Sequence, residues 1–140
     1  MLYLDASAIE KLIVPESESE PLRNWLANRT DLVSSSLVGV EVLRAARRTL
    51  SAITPDARGA EDERLIHQSE LALSRVATVT PDRQILDLAG RIEPAMLRTL
   101  DAIHLATALT IDGLEGLVTY DTRLARAAQS AGLVVFSPGA

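Results

Sequence analysis

The stretch Leu2-Tyr3-Leu4-Asp5-Ala6-Ser7-Ala8 places an acidic residue directly after an apolar run and directly before a predicted helix. Residues 2–4 predict a short buried strand, and residues 6–14 predict a helix with Ser7 as its cap. An acid at such a junction is unfavourable to bury unless another group compensates its charge. Asp5 is therefore the first candidate site residue.

Three further acids interrupt core-forming sequence in the same way. They are Glu41 within Val38-Gly39-Val40-Glu41-Val42-Leu43, Asp101 within Leu100-Asp101-Ala102-Ile103, and Asp121 after Leu117-Val118-Thr119-Tyr120. Each acid taken alone has an ordinary interpretation as a helix cap, a first-turn acid or a residue on a solvated helix face. Together they suggest a shared cationic partner, and a hard divalent metal is the simplest one because it takes oxygen ligands.

Composition limits the class of protein. The chain has 140 residues, of which 47% are hydrophobic and 24% charged, so we expect one soluble globular domain over residues 1–140. The absence of cysteine excludes disulfides, thiolate zinc sites and a cysteine nucleophile. A net charge of −5 argues against a broad basic surface for duplex DNA. We find no secretory segment or membrane span, and we expect a cytoplasmic protein.

Short apolar runs alternate with helical patterns along the chain, which predicts a parallel sheet covered by helices on both faces. Sites in open α/β sheets form beyond the carboxyl ends of the strands. Asp5 and Asp121 follow predicted strands, and Glu41 and Asp101 lie in first turns of predicted helices. We therefore expect one crevice to hold all four. Residues 51–60 are predicted to be a loop or hinge.

At these residues the chain resembles the PIN-domain nucleases, and most closely the small VapC-type toxins of prokaryotic toxin–antitoxin pairs. The resemblance is carried by four segments in the family's order, in a chain of family-like length. They are Leu4-Asp5-Ala6-Ser7-Ala8, Ser36 to Ala45 with Val40-Glu41-Val42, Leu100-Asp101-Ala102-Ile103-His104-Leu105-Ala106-Thr107-Ala108, and Val118-Thr119-Tyr120-Asp121.

The resemblance implies a PIN-like three-layer α/β/α sandwich with a mostly parallel central sheet. It also implies a ribonuclease that uses Mg²⁺ or Mn²⁺, with Ser7 and Thr119 as supporting polar residues. We assign Asp5, Glu41 and Asp101 to metal coordination, directly or through water. Asp121 would bind a second metal or orient the attacking water. Like charges in one cleft should raise some carboxylate pKa values until a cation fills it.

The resemblance further implies partners. We expect an RNA substrate, with tRNA and rRNA as the classes considered, and a cognate VapB-like antitoxin. The antitoxin's C-terminal segment would send an Arg or Lys into the acidic cleft. We also expect a homodimer and a toxin–antitoxin hetero-oligomer, with no membrane partner.

Two other functions stay open at the level of the sequence. One is an α/β phosphohydrolase with Asp5 as an aspartyl nucleophile, although Ser7 stands where such enzymes often carry a second Asp. The other is a non-catalytic PIN-like module that binds RNA or protein. His104 lies one helical turn after Asp101 and could line the crevice, but a packed helix histidine is the favoured interpretation. Arg44, Arg47 and Arg48 could meet phosphates or partner acids, but a solvated helix face is favoured.

Overall fold

The computed structural model describes residues 1–53 and 59–140, and within them the strands form one sheet flanked by helices. The strands are β1 (Leu2–Leu4), β2 (Leu32–Ser35), β3 (Ala77–Val79), β4 (Gly116–Val118) and β5 (Val135–Phe136). The helices are α1 (Ala6–Ile13), α2 (Ser19–Leu26), α3 (Val38–Ile53), α4 (Ala60–Leu73), α5 (Arg83–Ala89), α6 (Thr99–Leu109) and α7 (Thr122–Ser130).

The sheet is parallel throughout, and its strands lie in the order β3-β2-β1-β4-β5. Leu2 of β1 pairs with Leu32 on one side and with Gly116 on the other. The chain therefore adds β2 and then β3 on one side of β1. It then crosses over and adds β4 and β5 on the other side. The predicted parallel sheet is confirmed, and the order reverses between β1 and β4.

Two hydrophobic cores cover the two faces of the sheet. Leu2 and Leu4 pack on one face with apolar residues of α1 to α4. Tyr3 points to the opposite face and packs with residues of α6 and α7, including Leu105 and Leu124. This division follows from the strand period of two, which sends successive side chains to opposite faces. The predicted α/β/α layering is confirmed.

The predicted cap of α1 was wrong, because a carboxylate takes the place of a hydroxyl. Asp5, not Ser7, caps α1 by accepting a hydrogen bond from the Ala8 amide at 2.9 Å. Asp82 caps α5 in the same way, through the Ile85 amide at 2.9 Å. A carboxylate thus begins each of these helices.

The predicted loop or hinge over residues 51–60 is wrong at both ends. Helix α3 continues to Ile53 and α4 begins at Ala60, so helix occupies part of the segment. Residues 54–58, with Pro55 and Asp56, lie outside the described residues. No helix in the described ranges 1–53 and 59–140 is long and apolar enough to cross a membrane.

Candidate active site

A cavity of about 620 Å³ opens at the carboxyl end of β1, and all four predicted acids line it. Asp5 directly follows β1 and Thr119 directly follows β4, the two strands between which the sheet order reverses. Such a reversal creates a crevice because the connections on either side lead away from each other. The fold thus brings Asp5, Glu41, Asp101 and Asp121 to one place from four separate segments.

Asp5 is only 4% exposed and is held by several hydrogen bonds. Its Oδ1 accepts from the Ala8 amide at 2.9 Å and from Ser7 Oγ at 2.8 Å. Its Oδ2 accepts from Thr119 Oγ1 at 2.7 Å. Burial raises the pKa of the Asp5 carboxyl, while the bonds from Thr119, Ala8 and Ser7 oppose that rise. The same side chain caps α1 and faces the cavity, so its orientation is fixed by the fold.

Ser7 and Thr119 link the ends of β1 and β4 through Asp5. Ser7 Oγ donates to Asp5 and accepts from the Tyr120 amide at 2.8 Å. Thr119 Oγ1 donates to Asp5 and accepts from the Asp121 amide at 3.0 Å. Both residues therefore position acids of the cavity. Among the described residues, the hydrogen-bond partners of Ser7 Oγ are Asp5, Thr119 and the Tyr120 amide, and they include no histidine or lysine of the kind that activates a serine nucleophile.

Asp101 carries an unsatisfied charge. Its Oδ2 is buried and has no hydrogen-bond partner among the described residues. The pKa of the Asp101 carboxyl is raised, first by burial, then by the nearby negative charge of Asp121; Arg98 opposes the shift, and Asp5 adds to it. A buried polar atom without a partner is unfavourable. The arrangement suits a bound cation, which would satisfy this oxygen and offset the repulsion.

Glu41 has a partner that sequence reasoning missed. His104 Nε2 lies 2.7 Å from Glu41 Oε2, and His104 Nδ1 lies 2.8 Å from the Tyr3 hydroxyl. His104 is only 2% exposed, so its interpretation as a packed histidine was correct as far as it went. Its position three residues after Asp101, which puts both side chains on one side of a helix, indicated that it could line the crevice, and His104 is among the residues that line the cavity.

Asp121 caps α7 with one oxygen. Its Oδ1 accepts hydrogen bonds from the amides of Arg123 at 2.7 Å and Leu124 at 3.1 Å. The side chain is partly exposed at the cavity. Asp121 therefore combines the two interpretations open for it, a helix cap and a member of the acidic set.

The acids share the cavity without enclosing an ion as they stand. In residues 1–53 and 59–140, no three His, Asp or Glu side chains are grouped as a ready metal cage. Asp5, Glu41 and Asp121 are each engaged by protein partners instead. Mg²⁺ commonly keeps several waters and takes one or two carboxylates, so a complete cage is not required.

Three arginines line the same cavity. Arg44 and Arg48 follow Glu41 on α3 at helical spacing, and Arg98 lies just before α6. Arg47, between them on α3, does not line the cavity and lies 3.4 Å from Asp62 of α4. All three arginines of α3 are exposed, as the prediction of a solvated helix face requires, and two of them, Arg44 and Arg48, also border the cavity. The cavity wall combines an acidic floor with guanidinium groups.

Comparison with known proteins identifies the family of this fold. The PIN domain pattern matches residues 2–130, and the chain belongs to the PIN-domain family. Ribonuclease VapC46 of Mycobacterium tuberculosis is 48% identical over 139 residues, covering 98% of this chain and 97% of that protein. Ribonuclease VapC35 of the same species is 40% identical over 144 residues, covering 99% and 98%.

A solved structure also matches. The crystal structure of Mycobacterium tuberculosis VapC20, described as a sarcin-ricin loop cleaving toxin, has a TM-score of 0.69 and covers 99% of this chain and 100% of that one. The two sequences are only 14% identical. The similarity therefore concerns the fold, and it supports the α/β/α architecture independently of the sequence relatives.

Proposed function

We propose that this chain is a metal-dependent endoribonuclease that acts as the toxin of a type II toxin–antitoxin pair. It would hydrolyse RNA phosphodiester bonds in the cytoplasm and so inhibit translation and growth. The observation that carries the proposal is the buried, unpartnered Oδ2 of Asp101 in a cavity shared with three other acids. The names of the relatives, which are ribonucleases of VapC type, support the choice of RNA.

The four acids would hold Mg²⁺ or Mn²⁺. A bound divalent cation lowers the pKa of a water and neutralises charge that develops on phosphoryl and leaving oxygens. Asp101 would contribute its unpartnered oxygen and Glu41 the carboxylate oxygen that His104 leaves unused. Asp5 would supply a carboxylate whose direction is fixed by Ser7 and Thr119. Asp121, which caps α7 with its Oδ1, would orient the attacking water or hold a second ion.

The arginines supply a reason for RNA to enter an acidic cavity. The chain's net charge is −5, so long-range attraction to a polyanion is weak. Arg44, Arg48 and Arg98 would contact phosphates next to the scissile one and hold the strand against the acids. Such contacts position the strand without reading its bases. These contacts therefore do not distinguish tRNA from rRNA, and selection between them would depend on other surfaces of the protein.

An antitoxin would cover a second, apolar groove. This groove of about 610 Å³ lies between α1, α2 and α4, and its lining includes Leu12, Leu26, Leu71 and Val76. Leu71 is 56% exposed there. Burial of such surface would provide most of the affinity. An Arg or Lys from the same antitoxin segment would reach the acidic cavity and pair with carboxylates in place of metal.

We also propose that residues 1–140 act as one PIN domain and pair into a homodimer, the common state of small soluble proteins. Light scattering at micromolar concentration should give about twice the 15.1 kDa chain mass. A mass of one chain throughout that range would contradict the pairing and leave the nuclease proposal standing.

The nuclease proposal is tested by cleavage. Purified protein should cut single-stranded RNA with Mn²⁺ and lose that activity in EDTA. Asp101→Asn should reduce cleavage by at least about a hundredfold, because it removes the charge that would face the ion. Asp112→Asn is the matched control, since Asp112 is an exposed acid outside the cavity.

Full cleavage by a folded Asp101→Asn protein would remove Asp101 from the site. Failure of the unaltered protein to cut any RNA with Mn²⁺ would favour a non-catalytic binding module. A phosphoenzyme trapped on Asp5 would favour the phosphohydrolase alternative, which the engagement of both Asp5 oxygens in hydrogen bonds does not support.

A further inference from the structure

A line of buried polar groups joins three elements of the fold behind the acidic cavity. It runs from the Tyr3 hydroxyl on β1 through both ring nitrogens of His104 on α6 to Glu41 on α3, with distances of 2.8 and 2.7 Å. Tyr3 is 0% exposed and His104 is 2% exposed. The Glu41 side chain is 16% exposed, so the line begins in the core and ends at the cavity.

The chemistry of the line fixes one of its hydrogens. Glu41 Oε2 is a carboxylate oxygen and accepts, so His104 Nε2 carries a hydrogen and donates it. His104 Nδ1 and the Tyr3 hydroxyl, 2.8 Å apart, share a second hydrogen bond. Removal of the Tyr3 hydroxyl would leave Nδ1 without this partner and the ring held only through Nε2.

We propose that His104, held by Tyr3, is a positioning residue that fixes the Glu41 carboxylate at the cavity for a divalent cation. This inference rests on the proposed metal-dependent function. His104 engages one Glu41 oxygen, Oε2, and leaves Oε1 without a hydrogen bond to the described residues. Groups that orient a metal ligand from behind set its direction and its basicity.

The surroundings explain why Glu41 needs such a partner. Glu41 shares the cavity with Asp5, Asp101 and Asp121, so like-charge repulsion favours rotamers that point away from them. A long side chain also has several rotamers available, and ordering one opposes binding. The hydrogen bond from a buried and rigid imidazole removes both difficulties before the cation arrives.

Helix α6 thereby positions two acids at once. It carries Asp101 in its first turn and His104 three residues later, so one helix presents its own carboxylate and directs that of α3. Movement of α6 relative to α3 would disturb both. This arrangement accounts for a fully buried histidine beside a site whose chemistry otherwise needs only carboxylates.

The test is Mn²⁺ binding by metal-free protein, measured by isothermal titration calorimetry. His104→Leu should weaken the Mn²⁺ dissociation constant by about 10- to 100-fold, the range typical for loss of a group behind a metal ligand. Tyr3→Phe, which removes only the hydroxyl, should weaken binding in the same direction. His104→Gln keeps an N–H donor and should recover part of the loss.

Ile103→Val is the matched control because Ile103 lies on the same helix, lines a separate cavity with Leu97 and Ala102, and is not part of the polar line. It should bind Mn²⁺ as the unaltered protein does. In nitrogen-15 NMR, the unaltered protein should show His104 protonated on Nε2, and Tyr3→Phe should shift that signal. Where His104→Leu does not fold by circular dichroism, Tyr3→Phe decides.

Folded His104→Leu and Tyr3→Phe proteins that bind Mn²⁺ as tightly as the unaltered chain would overturn the inference. Asp101→Asn separates this failure from failure of the metal site itself. If Asp101→Asn weakens binding and the two positioning variants do not, only the role of His104 is wrong. If Asp101→Asn binds as the unaltered chain does, the cavity is not the metal site and both proposals fail.

Discussion

At the scale of the residue, Asp101 shows how the fold holds a group in an unfavourable state. One of its oxygens is buried without a partner, and Asp121 and Asp5 add negative charge nearby. The stability of the metal-free protein is lowered by this ionised carboxylate. A bound cation or a proton would each remove this destabilisation. Experiments with and without metal, at different pH values, distinguish the two effects.

In EDTA at neutral pH, we expect Asp101→Asn to unfold at a higher temperature than the unaltered chain. The reason is that Asn carries no charge at the buried position. Because the folded-state pKa of Asp101 is raised above its usual value of 3.8, the destabilisation exists above that raised pKa and fades as pH falls toward 3.8. The difference in melting temperature should therefore shrink as the pH is lowered, as scanning calorimetry can measure.

Several other acids have lowered rather than raised pKa values. Their effects on stability cancel when the melting temperatures of the two proteins are compared. Hydrogen bonds from Lys11 and Arg29 lower the pKa values of Glu18 and Glu115 to about 2, so their contributions are lost at low pH. Both proteins share these groups. A melting difference that grew on acidification would contradict the assignment of a raised pKa to Asp101.

Individual site residues could be predicted from the sequence where their chemistry conflicts with their surroundings. An acid inside an apolar run stands out, and the four acids of the cavity were found in this way. The spacing of His104 to Asp101 placed it near the crevice, but its pairing with Glu41 could not be predicted, because a helix histidine is compatible with many environments. Its partner Tyr3 lies 101 residues away along the chain, and no local pattern reports that contact.

At the scale of the element, helix α3 divides its arginines between two environments. Arg44 lines the cavity, whereas Arg47 faces α4 and lies 3.4 Å from Asp62. We expect Arg44→Gln to weaken binding of a short single-stranded RNA in EDTA, with about 0.7 less slope of log affinity against log salt for one lost phosphate contact. Fluorescence anisotropy across a salt series measures both quantities.

Arg47→Gln removes the same charge from the same helix and is the control for net charge. It should leave the salt slope unchanged. Equal effects of the two substitutions would mean that RNA responds to overall charge, and that Arg44 makes no phosphate contact in the cavity.

The start of β4 has no room for a side chain. A Cβ on Gly116 would lie 2.6 Å from the Val134 carbonyl oxygen and 2.7 Å from Phe136. Gly116→Ala should therefore lower the free energy of unfolding by about 1–3 kcal/mol, measured by urea denaturation. Gly39→Ala is the control, since its nearest neighbour would be Leu73 at 3.7 Å and alanine favours helix. Equal stability of the two variants would show that β5 can move away from β4.

Element types were predictable because periodicity is local, whereas element ends were less so. The strands and most helices lie where the spacing of apolar residues and the turn-forming residues between them predict. The predicted cap of α1 failed because two polar residues, Asp5 and Ser7, were both available for that position. A carboxylate accepts amide hydrogens more strongly than a hydroxyl, and the sequence alone did not rank the candidates.

At the scale of the whole molecule, topology gathers the site. The order β3-β2-β1-β4-β5 puts the ends of β1 and β4 side by side, although they are more than a hundred residues apart in sequence. The sequence predicted alternating strands and helices but not which strands are neighbours. That information arises from packing, through the two cores on either face of the sheet.

Inhibition by an antitoxin would involve two surfaces of the molecule, the acidic cavity and the apolar groove. In a complex with its antitoxin, the Arg or Lys that enters the acidic cavity should inhibit by replacing the metal's charge. Substitution of that residue by Ala should restore part of the Mn²⁺-dependent cleavage while the complex, held by the apolar groove of α1, α2 and α4, stays intact by size-exclusion chromatography. An intact complex that stays fully silent would mean that inhibition comes from covering the cavity.

The central claim is that acids from four separate segments form one divalent cation site. The most direct measurement is X-ray diffraction from crystals grown with Mn²⁺, with anomalous differences collected near the manganese absorption edge. The account predicts an anomalous peak in the cavity, within coordination distance of Asp101 Oδ2 and of at least one other acid among Asp5, Glu41 and Asp121. A cavity without a peak at Mn²⁺ concentrations that support RNA cleavage, or a peak bound only elsewhere, would contradict it.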